Sequence, residues 1–191
     1  MRTMISAILP KCAIGNSMGM LLPEDESRKA YAEWAPLLQA NIASFALDYC
    51  LRQKVQGQNI NWYMVEQLPL VRPEQFAARI GRWRVGDFIR GEVMRLSYTA
   101  WDLQPFARDL GYDGAPFEWD EEDRRHRIAR LDALFFHLYG INRDDAAYIL
   151  DTFPIVREQD EKGHGRFLTK DLVLAYLNAV EAGDLKTTVN V

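Results

Sequence analysis

The sequence predicts an α+β protein: a small N-terminal β-hairpin element followed by a predominantly helical remainder. Three observations carry that expectation. Residues 2–10, "RTMISAILP", put β-branched and apolar residues on both faces of a pleat and stop at a proline. Gly15, Asn16 and Ser17 then supply turn chemistry before a second apolar run that ends at Pro23. The last third of the chain repeats apolar residues at helical spacing between recognisable caps. With 191 residues, 48% of them hydrophobic, the chain can bury a sizeable core.

Taken in order, residues 2–22 read as the hairpin, and "EDESRKA" as a solvated connection. Pro36 suits the first turn of a helix that continues to about Gln53, with Leu38, Ile42, Phe45 and Tyr49 as its apolar face. Another face carries Asn41, Ser44, Asp48 and Arg52, a polar stripe expected to be solvated, with Asp48 one turn before Arg52 in the favourable order for an ion pair. A basic, amide-rich turn follows, and the pattern of "WYMVEQLPLVRP" does not settle its element type. "EQFAARIGRWRVGDFIRGEVMRL" holds Arg79, Arg82, Arg84, Arg90 and Arg95 around Trp83. It is helical in pattern though interrupted by glycines, and reads as a charged helix pair ahead of a phosphate-touching surface.

Beyond residue 120, Ile128, Leu131, Phe135 and Leu138 mark an amphipathic helix ending at Gly140. Asn142 can cap the next helix, with Asp145 three residues on. Thr169 and Gly183 bracket a third, and "REQDEKGHGR" between them is expected to be a charged loop.

Composition narrows function. No apolar run approaches the roughly 18–20 residues that cross a bilayer, and the N-terminus lacks signal-peptide organisation, so a cytoplasmic protein without membrane contact is expected. Cys12 and Cys50 make neither a disulfide framework nor a zinc site and read as reduced thiols. Neither common glycine-rich phosphate loop occurs. The three histidines are far apart, and "DEEDRRHR" has the charge order of a helix start rather than of a metal site. No catalytic residue and no cofactor site is therefore assigned. The net charge of −4 divides unevenly: residues 1–100 hold 12 basic and 9 acidic side chains, a net +3, and residues 101–191 hold 11 and 18, a net −7. An anionic partner is to be sought in the first half.

Within that half, "LRQKVQGQNIN" gathers Arg52, Lys54, Gln56, Gly57, Gln58, Asn59 and Asn61. Arg and Lys can hold phosphate oxygens, Gln and Asn can donate to and accept from base edges, and glycine lets backbone approach a ligand closely.

The block from Arg2 to Pro10 with the block from Leu37 to Pro73 resembles the target-recognition region of large single-chain adenine-specific DNA methyltransferases of restriction-modification and phage-defence systems. The matching features are Arg2, Ile5, Ala7, Leu9 and Pro10; Asn41, Asp48 and Tyr49; Arg52, Gln53, Lys54, Gly57 and Asn61; and Gln67, Leu68 and Pro69. Ser44 departs from the pattern by standing later than the family's Asn-Ser pair. Residues 131–177 are similar to the segment that closes the same enzymes; together the blocks cover about half of the chain.

The resemblance implies a target-recognition segment over residues 1–73 and a helical segment over 74–191. It implies double-stranded DNA as partner, with Arg52 and Lys54 at phosphates and Gln56, Gln58, Asn59 and Asn61 as base readers. The S-adenosylmethionine motif and the Asn-Pro-Pro-Tyr type sequence of that family do not occur here. The chain is thus expected to be a C-terminal recognition fragment working with a separate methyltransferase catalytic domain or subunit, which would hold the S-adenosylmethionine. The alternative is a helical protein-protein interaction module that binds no DNA.

Overall fold

The structure, a computed structural model, describes residues 3–10, 12–15, 18–22, 28–55 and 60–191, with side chains in the first helix from Tyr31 on. It is mostly helical with one small antiparallel hairpin, an α+β arrangement. The helices are α1 (Arg28–Ile42), α2 (Phe45–Arg52), α3 (Trp62–Val65), α4 (Pro73–Ala77), α5 (Val85–Ser97), α6 (Gln104–Asp109), α7 (Glu121–Leu138), α8 (Arg143–Asp151), α9 (Pro154–His164) and α10 (Leu168–Glu181). A single 3-10 turn, Trp101–Leu103, precedes α6.

The two strands are β1 (Arg79–Ile80) and β2 (Trp83–Arg84), so this hairpin lies in the middle of the chain; the described part of residues 2–22 holds no strand, and Arg2, Asn16 and Ser17 of the expected hairpin lie outside the described residues. Among the described residues, 3–10 pair with no strand. Instead, helix side chains serve part of their backbone. The Thr3 N–H donates to both Asp48 carboxylate oxygens, at 2.8 and 3.1 Å. Ser6 and Gln39 exchange two bonds, Ser6 Oγ to the Gln39 carbonyl and Gln39 Nε2 to the Ser6 carbonyl. Strand identity requires a second edge, which apolar patterning alone does not supply.

The long helix expected from Pro36 to Gln53 is two helices. α1 carries Pro36 in its interior, and the chain breaks at Ala43–Ser44. Ser44 caps α2, its Oγ accepting from the Leu47 N–H, while the buried Phe45 N–H donates to Asp132 on α7 at 2.8 Å. "REQDEKGH" is not a loop but most of α9. No side chain of α9 is buried, so it lacks the apolar stripe that would have revealed it; Pro154 at its start and the Arg157–Glu161 pair support it instead. At α8, Asn142 does cap the helix, accepting from the Asp145 N–H at 2.9 Å. Thr169 is inside the first turn of α10 rather than its cap, and its N–H is taken by Asp160.

α7 is central, burying Ala129 to Phe136 without a break. One side of it joins Leu37 and Ala40 of α1, Phe76 of α4, and Phe88, Ile89 and Val93 of α5 in one core. Another joins Phe45 of α2, Leu150 of α8 and Leu177 of α10. Residues on both sides of position 73 therefore share the same cores. A third, smaller cluster of Ile42, Leu47, Leu51 and Leu68 lies under the basic turn. Among the described residues no helix is long and apolar enough to cross a membrane.

Candidate nucleic-acid interface

The polar stripe of the first helices is a buried network. Asn41, Ser44 and Asp48 are 1–2% exposed. Asn41 Nδ2 donates to Tyr139 Oη at 2.7 Å, and Asn41 Oδ1 accepts the Val71 N–H at 2.9 Å. Tyr139 Oη in turn donates to the Pro69 carbonyl at 2.8 Å. Burial pushes the Tyr139 phenol up to about 12, its bond with Asn41 acting in the other direction. This network ties the segment that leaves the basic turn to α1 and α7.

Asp48 and Arg52 do not form the pair expected between them. Asp48 faces Thr3, and Arg52 Nη1 donates to the Thr152 carbonyl at 2.7 Å. The Arg52 guanidinium also lies 4.2 Å from the centre of the Phe153 ring. Arg52 thus fastens the end of α2 to the end of α8.

From Gln53 on, side chains turn outward. Lys54 is exposed, and its Nζ donates to Gln67 Oε1 at 3.3 Å across the base of the turn. Val55 and Ile60 dip into the small cluster below, one on each side. Gln56, Gly57, Gln58 and Asn59 lie outside the described residues. Asn61 is exposed at the head of α3 and makes no capping bond with its side chain. Trp62 and Tyr63 follow it, each 56% exposed.

These two rings were not singled out from the sequence, since an aromatic pair in an apolar run reads as core; the amides just before them are the signal that the run starts at a surface. An exposed indole and phenol beside a cation and an amide can stack on flat rings and hydrogen-bond at their tips.

Two clefts, of about 510 and 390 Å³, share Trp119, Arg124 and Ile128, and no described residue of 52–67 lines either. Among the described residues no group of three or more His, Cys, Asp or Glu could hold a metal ion.

No family model, curated protein or solved structure matches the chain at a significant level.

Proposed function

We propose that this chain contributes to sequence-specific recognition of double-stranded DNA, as the recognition part of an adenine-N6 DNA methyltransferase of the restriction-modification or phage-defence kind. Methyl transfer would belong to a separate domain or subunit that binds S-adenosylmethionine. The observation that supports this reading best is the mounting of the turn. Its flanks are held by Arg52 at Thr152, by Lys54 at Gln67 and by Asn41 at Val71, while Lys54, Asn61, Trp62 and Tyr63 are left facing solvent. Fixed flanks on either side of a ligand-binding segment lower the ordering cost of binding. The resemblance of the surrounding motif to target-recognition regions agrees with it.

In this reading Lys54 anchors a phosphate and Asn61, with the residues of 56–59, reads base edges. Anisotropy titration of labelled duplexes, with the catalytic partner present, tests it. Lys54→Ala should weaken binding to every sequence and reduce the salt slope by about 1, whereas Asn61→Ala should change which sequence is preferred. Equal affinity of the wild type and a Lys54→Ala, Asn61→Ala double variant at low salt refutes the assignment. The acidic second half favours an alternative, a protein-interaction module, for which partner protein would be retained with no DNA-dependent signal.

A further inference from the structure

We infer that the β1–β2 hairpin is a second point of contact with duplex DNA, gripping phosphates through Arg79, Arg82 and Arg84. The inference rests on the DNA-binding reading above but uses a different part of the chain. The sequence "RIGRWR" places three arginines in six residues. The strand register sets Arg79 directly opposite Arg84. Residues so paired hold their Cβ atoms about 4.5–5.5 Å apart on one face, and like charges there oppose folding. A hairpin built only for stability would not put two guanidinium groups in that position.

Nothing in the described chain neutralises them. Arg90, Arg108, Arg127, Arg130, Arg157 and Arg166 each meet a carboxylate within 4 Å. Among the described residues, Arg79, Arg82 and Arg84 meet none, and all three are exposed. Arg79 Nη2 donates to the Arg82 carbonyl at 2.7 Å, and the Arg82 guanidinium lies 5.2 Å from the centre of the Trp83 ring. Neighbouring acids are engaged elsewhere. Asp87 pairs with Arg90, and Asp184 accepts from the backbone N–H groups of Lys186 and Thr187. Lys186 Nζ, held by the buried Glu92, lies 5.3 Å from the same Trp83 ring.

The hairpin is also fixed in place. Gly81 is the first of the two turn residues and has φ +56°, the position at which a type II′ turn wants glycine. A Cβ on Gly81 would stand 2.2 Å from the Gly183 carbonyl oxygen, so the turn is pressed against the end of α10. The Val85 N–H donates to the Ala78 carbonyl at 3.0 Å and closes the base. The result is a short, rigid two-stranded prong with unpaired cations on one face. Such a prong meets phosphate oxygens without reordering, and guanidinium forks match phosphate geometry. Contacts of that kind position a protein on the duplex and carry no sequence information.

The test is anisotropy titration of the full chain, with the catalytic partner present, against a labelled duplex over a salt series, comparing the wild type with the Arg79→Gln, Arg84→Gln double variant and separately with Lys54→Ala. The hairpin variant should lose affinity for all sequences alike, with the slope of log K against log salt reduced by about 2. Its melting temperature without DNA should hold or rise, because a like-charge pair has been removed. A hairpin variant that binds with wild-type affinity and slope overturns the inference; if Lys54→Ala is weakened in that same experiment, DNA binding by the turn stands. Lost affinity together with a lowered melting temperature also overturns it, since the arginines then serve the fold. Absence of any duplex binding by the wild type at low salt removes both this inference and the reading it rests on.

Discussion

Replacing Asn41 by Leu is the sharpest test of how the basic turn is mounted. Asn41 is 1% exposed and makes two bonds, to Tyr139 Oη and from the Val71 N–H. Leucine is close in size, so the change removes hydrogen bonding with little change of volume. Each lost bond is worth about 1 kcal/mol net. Val71 is buried, and its N–H is left without that partner, which adds roughly 1–3 kcal/mol. Tyr139 keeps its bond to the Pro69 carbonyl, so its hydroxyl is not orphaned. The total is about 3–5 kcal/mol, a large part of the stability of an ordinary domain. Urea unfolding followed by circular dichroism reads it as a lower midpoint with an unchanged slope. Amide exchange over residues 70–72 should accelerate more than exchange in α8, since the segment leaving the turn loses its tether. A stability loss below about 1 kcal/mol, with Val71 exchange unchanged, would refute the claim that Asn41 holds that segment.

Two further outcomes follow from the same kind of reasoning. Glu92 is buried and meets Arg127 at 2.9 Å, Arg130 at 3.4 Å and Lys186 at 3.1 Å. Glu92→Gln leaves Arg130 and Lys186 without a carboxylate, Arg127 keeping Asp123, and should cost about 3–5 kcal/mol in the same urea measurement; near-wild-type stability would show that the cluster is not what joins α5, α7 and the residues after α10. Tyr139, raised to about 12, is neutral in the fold and ionises more easily when unfolded. Its contribution is complete below about pH 10, the unfolded value, and is lost as pH rises towards 12. Alkaline unfolding should therefore be shallower in Tyr139→Phe, and one tyrosine absorbance step of the wild type should coincide with loss of structure; a step well below pH 10 at Tyr139 contradicts its burial.

Helices with an apolar stripe were legible in the sequence. The periodicity of Leu131, Phe135 and Leu138, with Gly140 and Asn142 as punctuation, leads to α7 and α8 because burial and capping are local consequences of residue order. α9 escaped because it buries nothing, and periodicity reports only burial. The break at Ser44 escaped because it depends on Asp132, 87 residues away, taking the Phe45 N–H. Residues 3–10 have strand composition, but pairing is a property of two segments and this one found helices. In "RIGRWR" the glycine was read as a flaw in a helix. Its positive φ and its approach to Gly183 belong to the folded chain and have no local signature.

The same distinction divides the recognition motif itself. Asn41, Ser44, Asp48 and Arg52 stand at intervals of three and four, which in sequence marks a single polar face with one job. Three-dimensionally they separate by what each reaches: Asn41 to Val71 and Tyr139, Asp48 to Thr3, Arg52 to Thr152. Each is a long-range tether. A motif whose polar residues are used up internally in this way still bears on recognition, because it decides where the next residues point. Arg52 ends α2 against α8, and two residues later Lys54 is the first cation past it that faces solvent. On the proposed DNA-binding reading, substituting Arg52 should therefore act on every sequence equally, whereas the power to distinguish one base from another is assigned to the amides that follow Lys54.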